Sequence, residues 1–288
     1  VLSAKSAKAG PWETSFVPFM RDIMDSFSCD CVEEMFVVKP AQTAGTEALL
    51  NMILYAALQD PGPTMLVEPT EDLATEISQE RIDEMIKSSD QLKEVSDRAE
   101  DDNTKLKKTF SSMTLYLGWA GSPSSLAMRA IRYLFFDEVN KYPKFSGSEA
   151  SPLKLGKERT ETFIWSRKII YISTPSVEGG YITEGEKNCE CRFRFQFSCP
   201  FCGHPQIPKF SQVKFGDDHD PKVVENEAWY ECEKCSEKIR EDCRLEMVRR
   251  GKWIEMKSGL EYGQAMEKLR PRSIGFQFSR LISPWHTW

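Results

Sequence analysis

Short apolar runs alternate with amphipathic stretches along this chain, the order expected of a mixed α/β protein. Phe36-Val37-Val38 is a β-favouring run. It feeds the small-residue loop Lys39-Pro40-Ala41-Gln42-Thr43-Ala44-Gly45-Thr46-Glu47, which opens the helical pattern Ala48-Leu49-Leu50-Asn51-Met52-Ile53-Leu54. Upstream, Phe19, Ile23 and Phe27 recur at helical spacing. That face either packs into the core or offers a rest for a nucleotide base.

The turn Asp60-Pro61-Gly62-Pro63 precedes a strand at residues 64–68. A helix then starts at Pro69-Thr70-Glu71-Asp72, with Thr70 as its cap and a buried face of Leu73, Ile77, Ile82, Met85 and Ile86. The polar run from Lys87 to Lys108 has no clean period and reads as a solvated segment or mobile loop. Further strands are expected at residues 114–120, 132–138, 168–173 and 273–279, the last rejoining the main sheet.

Two of these elements end in candidate chemistry. A helix that opens on a small-residue loop presents free backbone N–H groups and a positive dipole end, so a triphosphate fits the loop and Thr46 can offer its hydroxyl to magnesium. The usual loop pattern places lysine immediately before that hydroxyl residue, where this chain has Gly45. Lys39, at the front of the loop, is the nearby alternative. The second element is Tyr133-Leu134-Phe135-Phe136-Asp137-Glu138, a buried parallel strand with its acids at the carboxyl end, where open α/β sheets bind ligands. Asp137 is expected to hold magnesium through water, and Glu138 to orient and deprotonate an attacking water. Ser173-Thr174-Pro175, ending another strand, suits a loop that senses the γ-phosphate. Each motif alone also describes an ordinary strand end or connection. Their order and separations describe an ATPase core in which an extra strand lies between the loop-bearing and the acidic strands.

Composition narrows this picture. The 288 residues suffice for about two domains. No apolar run approaches the roughly 20 residues of a membrane span, so no membrane partner is expected. A net charge of -6 argues against a broad basic surface holding nucleic acid tightly, while leaving local patches open. A start at Val1 and a stop at Trp288 without a tail suggest a piece of a longer polypeptide.

Nine cysteines without secretory features point to metal rather than disulfides. Cys199-Pro200-Phe201-Cys202 and Cys232-Glu233-Lys234-Cys235 form two knuckles that can close a four-thiolate zinc site, with Gly203 easing the turn after the first. Free buried cysteines are the simpler alternative. Such a site is structural, because protein fills all four positions. Residues 1–190 thus read as an ATPase core, 191–256 as an inserted zinc ribbon, and 257–288 as a return to the core and the start of a linker.

In combination, these residues resemble the lambda-type large terminase subunit of tailed bacteriophages. The resemblance rests on Lys39 to Glu47, Val67-Glu68-Pro69-Thr70-Glu71, Ser122-Pro123-Ser124-Ser125-Leu126, Phe136-Asp137-Glu138-Val139, Ser173-Thr174-Pro175, both knuckles and Leu281-Ile282-Ser283-Pro284-Trp285. It implies a P-loop NTPase of the multi-strand α/β type, its mostly parallel sheet flanked by helices, with an extra strand between the Walker A and Walker B strands. The implied function is an ATP-driven motor using ATP, magnesium and zinc to move double-stranded DNA into a procapsid. Its implied partners are a small terminase subunit, the procapsid portal and further copies in a ring, all in the host cytoplasm. A nuclease domain is expected only in the full-length protein. Arg129 and Arg81 are the candidate arginine fingers, acting in cis or on a neighbour's nucleotide. A helicase-like DNA-repair ATPase would need a second ATPase-like lobe, for which no second motif set exists. A degenerate, non-hydrolysing nucleotide fold carrying a zinc-ribbon binding module is the other alternative, made credible by Gly45.

Overall fold

Strand β1 (Glu34–Val38) lies inside a sheet of ten strands among the described residues, all but two of its hydrogen-bonding flanks being parallel along the central path. The computed structural model describes residues 8, 10–96, 103–127, 129–144, 150–176, 179–217, 220, 223–224 and 227–288. The other strands are β2 (Thr64–Glu68), β3 (Lys107–Phe110), β4 (Met113–Trp119), β5 (Tyr133–Asp137), β6 (Lys168–Ser173), β7 (Cys191–Ser198), β8 (Pro205–Gln206), β12 (Lys252–Glu255) and β13 (Ser273–Gln277). Their order is β12-β7-β13-β1-β6-β5-β2-β4-β3, with β8 paired to β7. A separate sheet joins β9 (Val213–Lys214), β10 (Trp229–Glu231) and β11 (Lys238–Ile239) in the order β11-β10-β9.

The unbroken apolar runs of β2 and β5 follow from this order, since every residue of both strands is buried. β6 stands between β1 and β5, as the sequence predicts for the extra strand. Register brings the carboxyl ends of β1, β6 and β5 level: Val38 pairs with Ser173, and Asp137 with Ile172. β13 does rejoin the sheet, parallel to β1.

Three expectations need correction. β7 and β12 hydrogen-bond within the main sheet, although both fall in the 191–256 stretch read as an insertion. Trp253 on β12 shows why: it is 1% exposed, donates from Nε1 to the Phe19 carbonyl at 2.9 Å, and meets Phe195 and Phe276 edge-on. The Lys87–Lys108 run contains regular elements. Ser89 caps the Asp90–Val95 helix, which buries Leu92, and the run ends in β3; residues 97–102 lie outside the described residues. In the helix after Thr70, Leu73 is exposed rather than part of the buried face, and a π-helical stretch follows at Ile77–Ile82. The five-residue step between those two isoleucines is longer than an α-helical repeat, and the wider turn absorbs it.

Candidate functional site

The Gly45–Gln59 helix starts at the carboxyl end of β1, and the loop before it has two residues with left-handed backbone. Gln42 has φ 56° and Ala44 φ 62°. In the usual loop pattern Ala44 corresponds to the second glycine, the residue type that best tolerates such a φ. Thr43 steadies the loop by donating to the Pro40 carbonyl at 2.9 Å. Pro40, Ala41 and Gln42 lie at its more accessible rim.

Lys39 is 5% exposed, and its side chain crosses the space in front of Gly45. A Cβ built at Gly45 would overlap Lys39 Cδ and lie 2.6 Å from its Cε and 2.9 Å from Ile172 Cδ1. The loop therefore has lysine in front and glycine behind for one steric reason. Lys39 Nζ ends 2.6 Å from Glu138 Oε1, and Lys141 Nζ lies 3.3 Å from Oε2.

Glu138 follows β5 and itself has φ 52°, a left-handed conformation that is strained in a residue with a side chain. Asp137 is 2% exposed and accepts from Thr46 Oγ1 at 2.8 Å, while its second oxygen is buried without a partner. The two acids are pushed apart. Burial raises Asp137, against the opposing pull of the Lys39 charge and the Thr46 hydrogen bond. Burial also works to raise Glu138, but the field and hydrogen bond of Lys39, with help from Lys141, hold it below the ordinary carboxylate value.

The structure adds residues that the sequence reading missed. Glu68 ends β2 next to β5, is 2% exposed, and is driven well above its ordinary value by burial and by the Asp137 and Glu138 charges. Its signal was available: like Asp137, it is an acid closing an apolar strand. Asn140 links the acidic strand to the Ser173-Thr174-Pro175 turn. Its N–H donates to Ser173 Oγ and its Nδ2 to the Thr174 carbonyl, both at 3.2 Å, while Oδ1 accepts from Ile182 N–H at 3.1 Å. No pattern of hydrophobicity could have shown that bridge.

A cavity of about 380 Å³ adjoins the loop, lined in part by Trp12, Phe16, Arg81, Trp285 and His286. Arg81 comes from the π-helical stretch and pairs with Glu47, directly after Thr46. Arg129 is elsewhere, exposed, with its guanidinium 4.2 Å from the Tyr116 ring centroid. Phe19 and Phe27 are core residues at 0% and 4% exposure, so they offer no rest for a base. Trp12 and Phe16, a little upstream, face the cavity instead.

Away from this site, the sulfurs of Cys199, Cys202, Cys232 and Cys235 lie within 4.8 Å of one another. Cys199–Cys235 and Cys202–Cys232 are each 3.8 Å apart. A tetrahedron with metal–sulfur bonds of about 2.3 Å has edges of about 3.8 Å, so the four thiols fit one zinc ion. The knuckles share a backbone design: Gly203 N–H donates to the Cys199 carbonyl and Ser236 N–H to the Cys232 carbonyl, each at 3.0 Å and each with positive φ. His204 instead faces Glu233, 3.3 Å away. Among the described residues, no helix is long and apolar enough to cross a membrane.

The chain is 28% identical over 298 residues to the large terminase subunit of Enterobacteria phage P21, covering 97% of this chain but 45% of that protein. It thus spans about half the length of the curated relative it matches. Among solved structures, the HK97 bacteriophage large terminase is 13% identical, with a TM-score of 0.49 over 65% of this chain and 38% of that one. The Thermus phage P74-26 large terminase ATPase domain is 14% identical, with a TM-score of 0.42 over 57% and 68%. Because the family model described as "Phage terminase large subunit gpA, ATPase domain" matches residues 6–253, most of its length, the chain belongs to that family.

Proposed function

We propose that this chain is the ATPase motor of a viral DNA-packaging terminase, and that the β1 loop holds the phosphates of ATP. The observation carrying this reading is the lysine–glycine exchange within the loop: Lys39 lies across Gly45 and places its ammonium at the helix N-terminus and beside the acidic strand. The loop from Lys39 to Glu47 would surround the phosphates with backbone N–H groups, and Lys39 would neutralise the β and γ oxygens as a point charge.

Thr46 would offer its hydroxyl to magnesium and Asp137, with a buried carboxylate oxygen that has no protein partner, would hold the ion through water, oxygen donors of the kind a hard divalent ion accepts. When bound, the ion supplies charge neutralisation at the phosphates. Glu138 would orient the attacking water and take its proton. Movement of Lys39 toward phosphate would release Glu138 from the field that holds its basicity down, so the base would strengthen as substrate arrives. Ser173, Thr174 and Pro175 would pass the state of the γ-phosphate through Asn140 to the segment that follows. Arg81, already beside the loop, suits a finger in cis; exposed Arg129 suits one acting on a neighbouring copy.

The cysteine cluster would hold structural zinc in a ribbon built on β9, β10 and β11. Double-stranded DNA, the small subunit, the procapsid portal and a ring of copies in the host cytoplasm belong to the same proposal. Nuclease activity would belong to the longer protein. The test is ATP turnover with and without duplex DNA beside nucleotide binding: DNA-stimulated hydrolysis is expected, whereas binding without any turnover would favour a non-hydrolysing nucleotide fold.

A further inference from the structure

Cys29 and Cys31, outside both the nucleotide loop and the four-cysteine cluster, sit in the turn that feeds β1. Cys29-Asp30-Cys31-Val32 is closed by Val32 N–H, which donates to the Cys29 carbonyl at 3.1 Å. Lys168, the first residue of β6, donates from Nζ to the same carbonyl and to the Val32 carbonyl, the latter at 2.6 Å. One ammonium thus grips both ends of the turn. Inside it the two sulfurs lie 3.3 Å apart, each on a part-buried residue, and Asp30 between them is exposed.

The same spacing recurs at Cys189 and Cys191 without the same result. Cys189 is 5% exposed and donates from Sγ to the Gly185 carbonyl at 3.3 Å, while Cys191, 3% exposed, belongs to a different cluster of the core. It is the braced turn, not the spacing, that brings the first pair together. Cα atoms two residues apart in a tight turn also fall inside the roughly 7 Å that a disulfide spans. Two thiols fill only half of a tetrahedral metal site, and among the described residues no third possible ligand joins them. Adjacent, partly exposed thiols beside a cation are instead the setting of oxidisable cysteines.

We propose that Cys29 and Cys31 form a redox-modified pair that a hydroperoxide converts to a disulfide. The Cys29 sulfur attacks the O–O bond of hydrogen peroxide, becomes a sulfenic acid and releases one water. The Cys31 sulfur then attacks the sulfenic sulfur; the S–S bond forms, and the hydroxyl leaves as a second water with the Cys31 proton. Two electrons pass from the sulfurs to the peroxide. Cys31 reacts second because burial, aided by the hydrogen bond and charge of the Cys29 sulfur, pushes its thiol up to about 11. The pair is separate from the nucleotide site, since it precedes the amino end of β1 and the phosphate loop follows the carboxyl end.

The experiment treats the full chain with one equivalent of hydrogen peroxide, alkylates the remaining thiols, and follows the peptide spanning both cysteines by mass spectrometry. Parent, Cys29→Ser and Cys31→Ser proteins are first checked for folding by thermal melt. The parent peptide is expected to lose two hydrogens and take up no alkyl group, roughly tenfold faster than Cys189 or Cys191 is lost. Dithiothreitol should reverse it. In Cys31→Ser, Cys29 should stop at the sulfenic acid and be captured by dimedone; in Cys29→Ser, Cys31 should be spared. If either variant is unstable, folded and urea-unfolded parent decide, the folded turn being expected to close roughly tenfold faster. A pair that stays fully alkylated, or closes equally fast in urea, overturns the proposal. Dimedone capture on Cys31 but not on Cys29 overturns the assigned roles.

Discussion

Lys39 Nζ lies 2.6 Å from Glu138 Oε1, joining the first residue after β1 to the first residue after β5. Side-chain exposures of 6% and 17% make this a largely desolvated pair. Removing one partner leaves the other charge buried, beside Asp137 and Glu68. Lys39→Ala should therefore abolish hydrolysis and also lower folding stability, by about 3 kcal/mol. Lys39→Ala/Glu138→Gln should regain most of the stability and none of the activity. Chemical denaturation of the two single variants and the double variant checks this; strictly additive losses would show that the residues are uncoupled.

Glu138→Gln alone keeps the side chain's shape and removes the base. Nucleotide binding should stay near normal, and turnover should fall about 100-fold or more. Asp137→Asn should reduce both turnover and magnesium-dependent binding. Loss of nucleotide binding by a folded Glu138→Gln protein would contradict the assigned role.

Gly45→Lys, which restores the common loop pattern on paper, should reduce turnover in an otherwise unchanged protein, because the new Cβ would need the Lys39 stem to vacate its place and would press on Ile172. In the Lys39→Ala background the stem is gone and only the Ile172 contact remains, so Gly45→Lys should be better tolerated there than in the parent. Ala44→Gly, at φ 62°, should be tolerated and stabilise the fold by up to about 1 kcal/mol. Thermal melts and turnover of the two variants separate these effects, and an active, fully stable Gly45→Lys protein would refute the steric account.

Much of this organisation is legible in the sequence because strands such as Tyr133–Asp137 are buried on both faces and announce themselves as continuous apolar runs. Short loops between strand and helix also keep Thr46 and Asp137 near their predicted neighbours. What escaped depends on contacts between distant segments. The sequence shows Gly45 as a defect, and only the Lys39 side chain above it explains the glycine. Trp253 reads as part of an inserted ribbon until its place among Phe19, Phe195 and Phe276 is seen. Trp285 and His286 look like a terminal scrap, and spatial closure alone puts them against the loop.

The cysteine cluster predicts about one zinc per chain by elemental analysis. Cys199→Ser or Cys235→Ser should lower stability more than turnover per folded molecule, since metal binding at such a site is folding energy. Chelation should unfold β9, β10 and β11 before the main sheet. A metal-free protein with the same melting behaviour would rule out the zinc site.

Asp22 yields a prediction independent of nucleotide. Burial, aided by the neighbouring Asp25 charge and opposed by Arg21, raises its carboxyl from 3.8 to about 6. The folded state therefore holds this proton more tightly than the unfolded state does. As pH rises from 3.8 toward 6, the unfolded chain releases the proton first, and this group's contribution to stability declines; above about 6 the loss is complete. Solvent access to the half-buried side chain moderates the effect. Asp22→Asn removes the titration while keeping the shape. It should raise the melting temperature by a few degrees at pH 8, and the advantage should shrink steadily as pH falls toward 4. An advantage that grew on acidification would mean that Asp22 is stabilised as the carboxylate, contrary to its surroundings.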